Sequence, residues 1–221
     1  MIRGLASLAL LLAVAACGGS PATPAASGST ASALSAGTHT STAFQPAVTF
    51  TVPDGWELVT DSAPYLQIRP AGSEVDGIHL FRDAVAASQD PACPSTPEPG
   101  VGSTSTELVA WLRERPGLVV GTPALATVGG LRGVAVDVGI KDGWTVSCPF
   151  ANGNPTVPLI TSKTAGYHWV IVGNERLRLY VLDLPGGGTV IVDVDAYDGT
   201  QYDALLKSAA PIVRSMQFAT S

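Results

Sequence analysis

The 221 residues carry a formal net charge of −6, with 14% charged and 46% hydrophobic side chains. That length suits one ordinary domain with a tail, and the acidic balance excludes the cationic face that nucleic acid requires. No apolar run reaches the roughly 18 residues of a membrane-spanning helix.

The chain opens Met-Ile-Arg, followed by an apolar run from Leu5 to Ala16. As a helix that run is about 18 Å long, too short for a hydrocarbon core of roughly 30 Å. Residues 1–16 therefore read as a secretory signal. The signal ends Val14-Ala15-Ala16-Cys17, an aliphatic residue and two small ones before a cysteine. This resembles a bacterial lipobox, which implies a diacylglyceryl group on Cys17 and cleavage just before it. Two acyl chains suffice for stable anchoring, so the expected location is extracytoplasmic, held to the cell membrane by lipid. Few Lys against many Arg, with abundant Ala, Gly and Thr, suggests a GC-rich genome such as an actinobacterium's.

From Gly18 to Gln45 the chain is rich in Ser, Thr, Ala, Gly and Pro and has no charged residue. Such a composition buries too little apolar surface to offset the entropy of ordering. Residues 17–46 are expected to be a flexible tether with an r.m.s. reach of roughly 30 Å, and 47–221 a single domain.

The patterning then changes. Val48, Phe50 and Val52 alternate, and Pro53-Asp54-Gly55 turns the chain into Trp56–Val59, a hairpin signal. Further strands are predicted at Tyr65–Arg69, Gly77–Asp83, Leu131–Ile140, Tyr167–Val172, Arg176–Asp183 and Thr189–Asp195, with a weaker one over Leu118–Val128. Pro185-Gly186-Gly187-Gly188 is a turn between the last two. Thr104 and Glu107 have capping-box spacing before a helix carrying Leu108, Trp111 and Leu112, ended by Pro116-Gly117. A second helix is predicted over Thr200–Val213, bent or restarted at Pro211.

Hairpin-rich strands with two separated helices predict an α+β fold, an antiparallel β-sheet flanked by helices. Three motifs carry a family resemblance: Pro53-x-Gly-Trp56, then Gly129-Gly130-Leu131-Arg132-Gly133 leading into Val134–Val138, and the terminal Ile212-Val213-Arg214-Ser215-Met216-Gln217-Phe218. Together they resemble the Mog1/PsbP-like domain of small actinobacterial lipoproteins, over about 47–218. The resemblance implies an α/β/α sandwich with binding or scaffolding roles, and no catalytic site to carry over.

Cys93 and Cys148 are a pair in an exported chain, lie in Pro-rich loops, and have neither a CxxC spacing nor a nearby His. A structural disulfide between them is expected. No nucleophile elbow or phosphate-binding loop occurs, so no catalytic residue, cofactor or enzyme activity is assigned. Asp193, Asp195 and Asp198 invite a calcium reading, but the EF-hand spacing fails at Tyr197, Asp198 and Ala204. They read instead as a solvated strand end with helix capping by Thr200, and no metal is expected. His79 and His168 lie on strands with no committed nucleophile, so neither reads as a general base. Arg176, Arg178 and Tyr180 alternate on one strand face. His168 would join them if Gly173-Asn174 were a hairpin turn, making a pocket for an anionic or sugar ligand. The rival reading pairs the arginines with Asp137, Asp193 or Asp195.

The expected function is a membrane-anchored, non-catalytic binding or accessory module acting on an envelope protein or component. The alternative is a small-ligand sensor or carrier using His168, Arg176, Arg178 and Tyr180.

Overall fold

A computed structural model describes residues 31–163 and 167–219. The signal, the lipobox with Cys17, and the tether up to residue 30 lie outside the described residues. The strands in chain order are β1 (Ser32–Leu34), β2 (Gly37–Thr40), β3 (Val48–Val52), β4 (Trp56–Asp61), β5 (Tyr65–Pro70), β6 (Gly77–Arg82) and β7 (Ala84–Ala86). After helix α1 (Ser105–Arg113) come β8 (Leu118–Val120), β9 (Ala124–Val128), β10 (Leu131–Ile140), β11 (Thr156–Ser162), β12 (His168–Val172), β13 (Arg176–Asp183) and β14 (Thr189–Ala196). Helix α2 (Tyr202–Ser215) and β15 (Gln217–Phe218) end the domain.

The large sheet has the order β1-β4-β5-β6-β14-β13-β10-β8, with β9 also pairing β10, and all of these pairings are antiparallel. One face of it packs on α2 and the small sheet β15-β3-β2, the other on α1 and the small sheet β12-β11-β7. Central strand β14 is buried at every residue, as a strand covered on both faces must be. Val190, Val192 and Val194 face α2, while Ile191 faces α1. The α+β class and most of the predicted strands are thus present.

Both helices form where their spacing places them. Thr104 and Glu107 complete a capping box at α1, satisfying amides that a helix start leaves free. Helix α2 runs through Pro211 as one element. Asp198, not Thr200, makes the cap before it, accepting the Thr200 N–H at 3.0 Å.

Three expectations are corrected. Residues 31–46 are not tether: β1 pairs β4, β2 pairs β3, and Phe44 is 0% exposed. Asp61 anchors this strap by accepting the amides of Thr42 (2.6 Å) and Phe44 (2.8 Å). Second, Pro53-Asp54-Gly55 joins two different sheets, since β3 pairs β2 and β15 while β4 pairs β1 and β5. Third, Leu118–Val128 is two strands, broken at Gly121-Thr122-Pro123.

Candidate functional site

The predicted four-residue pocket is not assembled. β12 belongs to the small sheet with β11, whereas β13 pairs β10 and β14. Gly173-Asn174 therefore crosses between layers instead of closing a hairpin. His168 sits edge-on to Phe150, with ring centroids 6.4 Å apart. Burial lowers the pKa of its ring. On the opposite face of the large sheet, Arg178 makes a bidentate pair with Asp137, Nε to Oδ1 at 2.6 Å and Nη2 to Oδ2 at 2.8 Å. The Arg176 guanidinium lies 4.4 Å from the centroid of the Tyr202 ring, and Tyr180 packs against the α2-side core. The Tyr202 hydroxyl donates to Asp137 Oδ1 at 2.5 Å. These bonds hold α2 to the sheet, and the Arg178 guanidinium beside Asp137 keeps that carboxyl below the usual range. The cross-strand reading of Arg178 therefore holds, through Asp137.

Nor are the two other candidate groups solvated. His79 is 0% exposed. Its Nε2–H donates to the Val75 carbonyl at 3.1 Å, which leaves Nδ1 to accept from the Tyr65 hydroxyl at 2.8 Å. Burial lowers its pKa to about 4, so the ring is neutral and both nitrogens are engaged. Asp193 and Asp195 are each 0% exposed, beneath Trp169 of β12, because the β7-β11-β12 layer covers this end of the sheet. Among the described residues no group of three or more His, Cys, Asp and Glu is placed to hold a metal ion. Cys93 and Cys148 are joined by a disulfide with Cα atoms 5.6 Å apart.

The open space lies elsewhere. A cleft of about 710 Å³ sits where the ends of β10 and β13 meet the loop after β10. Its lining includes Gly121 and Gly139 together with Lys141, Trp144, Glu175 and Arg176. Glycine at these positions leaves the main chain open to an occupant. Trp144 is fixed by its Nε1–H, which donates to the Thr156 carbonyl at 3.0 Å. Its ring packs so closely on Gly117 that a Cβ there would stand 2.6 Å from it. A smaller cleft of about 340 Å³ lies on the far side of Trp144, lined mostly by apolar residues such as Pro116, Val146 and Pro158 beside the disulfide. Glu175, in the larger cleft's wall, is 4% exposed and accepts the Val172 N–H at 2.6 Å. Burial pushes its carboxyl up to about 7, a departure that marks functional clefts more often than plain surface.

Sequence reasoning missed Trp144 and Glu175. The available signal was an aromatic in a glycine turn, Asp142-Gly143-Trp144. Nothing local marked Glu175, whose burial comes from strands distant in sequence.

The chain matches no protein-family model, and no curated protein sequence matches it. Among solved structures it is similar to LpqN of Mycobacterium tuberculosis, described as involved in cell envelope biogenesis. The two are 19% identical, with 78% of this chain and 83% of that one covered and a TM-score of 0.39. A protein of Bacteroides thetaiotaomicron is similar at 8% identity, covering 79% of this chain and 46% of its own, with a TM-score of 0.32. Likenesses this loose transfer no function, so the site is read from its own residues.

Proposed function

We propose that the protein is an exported lipoprotein, anchored through Cys17, whose domain is a non-catalytic binding module of the cell envelope. The observation that carries this reading is the composition of the larger cleft. It offers an aromatic wall (Trp144), the cationic Lys141 and Arg176, the latter with its guanidinium on the Tyr202 ring, the acidic Asp142 and Glu175, and half-buried glycine backbone, and its lining includes no Ser, Cys or His. Asp137, which also lines it, is already committed to Arg178 and Tyr202. A few polar groups converging beside an aromatic surface suit a small ligand with anionic or hydroxyl groups. The Cys93–Cys148 bridge supports an oxidising compartment outside the cytoplasm. One helix on each face of an antiparallel sheet supports the Mog1/PsbP-like resemblance.

A second reading, docking of an envelope protein, is favoured by the β8–β9 edge, where Val119 is 56% and Leu125 96% exposed. Native mass spectrometry of the protein, exported by an actinobacterial host, tests the first. An added mass that leaves on denaturation, and is missing from Trp144→Ala, is the expected result. An apo spectrum for the wild-type protein overturns the carrier form, and crosslinks through the Leu125 edge would then establish the second reading.

A further inference from the structure

Two carboxyl groups sit at the centre of the molecule with nothing to neutralise them. Asp193 and Asp195 are 0% exposed, and the polar groups that approach their carboxyl oxygens are the Trp169 indole at Asp193 and the Glu175 carboxyl at Asp195, neither of them a cation. No ion pair among the described residues includes either of them or Glu175. The Glu175 carboxyl faces Asp195 from the start of β13, and Asp76 approaches both from the turn between β5 and β6. Asp193 is opposite His79 in the β14–β6 register. Tyr65 from β5 and the Trp169 indole from β12 face this end of the cluster. His79 is neutral, as shown above, and Arg176 has its guanidinium on Tyr202, across the sheet. Among the described residues no cation therefore faces the three carboxyls.

Ionised carboxylates cannot share such a place: an uncompensated buried charge costs several kcal/mol, and like charges add to that cost. Burial, reinforced by the neighbouring carboxyls, holds Asp193 and Asp195 well above the ordinary carboxylate range. The cluster touches the cleft at one point. Glu175 lines it, accepts the Val172 N–H, and completes the turn through Gly173 and Asn174, which also line it. Gly173 has φ of +63°, and the turn is tied to its neighbours by polar contacts: the Gly173 N–H donates to the Pro155 carbonyl at 2.8 Å and the Asn174 Nδ2–H to Asp198 Oδ1 at 3.2 Å.

We propose that Glu175, Asp195 and Asp193 form a proton-loaded latch. While protonated they hold the 173–175 turn closed, and when the protons leave, Glu175 swings out and loosens this wall of the cleft. The consequence for binding, tighter holding in acid than above neutrality, rests on the cleft role proposed above. The latch itself needs no ligand to be measured.

The sign follows from linkage. The closed state keeps its protons to a higher pH than the open one, so opening releases protons and becomes easier as pH rises. Each proton released makes the opening equilibrium about tenfold more favourable per pH unit between the open and closed pKa values. The test is hydrogen–deuterium exchange of the full chain from about pH 5 to pH 7, corrected for intrinsic exchange. Protection of the Val172–Arg176 segment should fall by at least about tenfold per pH unit, one factor of about ten for each proton released, while β9 and β10 keep theirs. Glu175→Gln and Asp195→Asn should each flatten that dependence. Equal slopes in wild type and variants, or parallel loss in β9 and β10, would overturn the latch. Should both variants fail to fold, carboxyl NMR titration of the wild-type chain decides: ordinary values for Glu175 and Asp195 overturn it, raised ones support it.

Discussion

Replacing Phe44 with Ala separates a tether from a structural strap more sharply than any other single change. Phe44 lies in a segment whose composition reads as flexible, yet its ring is 0% exposed within the α2-side core. Its amide is held at 2.8 Å by Asp61. Truncating a fully buried Phe removes its transfer energy and leaves a cavity, together about 3–5 kcal/mol. For a chain of this length that corresponds to a fall of about 10 °C in Tm. Urea unfolding followed by tryptophan fluorescence measures it, with Leu125→Ala as the control. Leu125 is 96% exposed and its truncation should change stability by less than about 0.5 kcal/mol. A Phe44→Ala variant as stable as the control would refute the strap and return residues 31–46 to the tether.

The Cys93–Cys148 bridge spans 55 residues, so the double Ala variant should lose up to about 4 kcal/mol by loop-closure entropy; unchanged denaturation midpoints with and without reductant would contradict this. Asp61 has its pKa lowered, because the amide and hydroxyl bonds from Thr42 and the amide bonds from Phe44 and Ala43 outweigh the raising effect of burial. Its share of stability is therefore full above the unfolded value of 3.8 and is lost as pH falls through the lower folded value. Asp61→Asn should lack that acid-limb component in thermal melts between about pH 2 and pH 5. Gly117→Ala should destabilise the protein and shift its tryptophan emission, since the new Cβ meets the Trp144 ring at 2.6 Å and the Val157 side chain at 2.7 Å; wild-type emission and melting would show that Trp144 yields freely. Cys17→Ser should move the protein from the membrane to the soluble fraction, and retention on detergent partition would remove the lipid anchor from the account.

Local signals carried the sequence a long way. Period-two alternation marked β3 and β13, the Thr104–Glu107 spacing marked α1, and Pro185–Gly188 marked the turn joining two paired strands. These succeeded because each depends on residues within a few positions of one another. Which strands share a sheet depends on contacts across the whole chain, and there local reading failed. Pro53-Asp54-Gly55 and Gly173-Asn174 have ordinary turn chemistry, yet each carries the chain between layers. That single difference separates His168 from Arg178, exposes the cleft at Trp144, and buries Asp193 and Asp195 under β12. Composition misjudged residues 31–46 for a related reason: a polar segment can be ordered when a single ring of its own, Phe44, is buried and a carboxylate distant in sequence, Asp61, accepts its amides. The chain's local order thus follows from its sequence, whereas the environments of His79, His168, Asp193 and Asp195 were set by packing between layers, where burial decides both charge state and access.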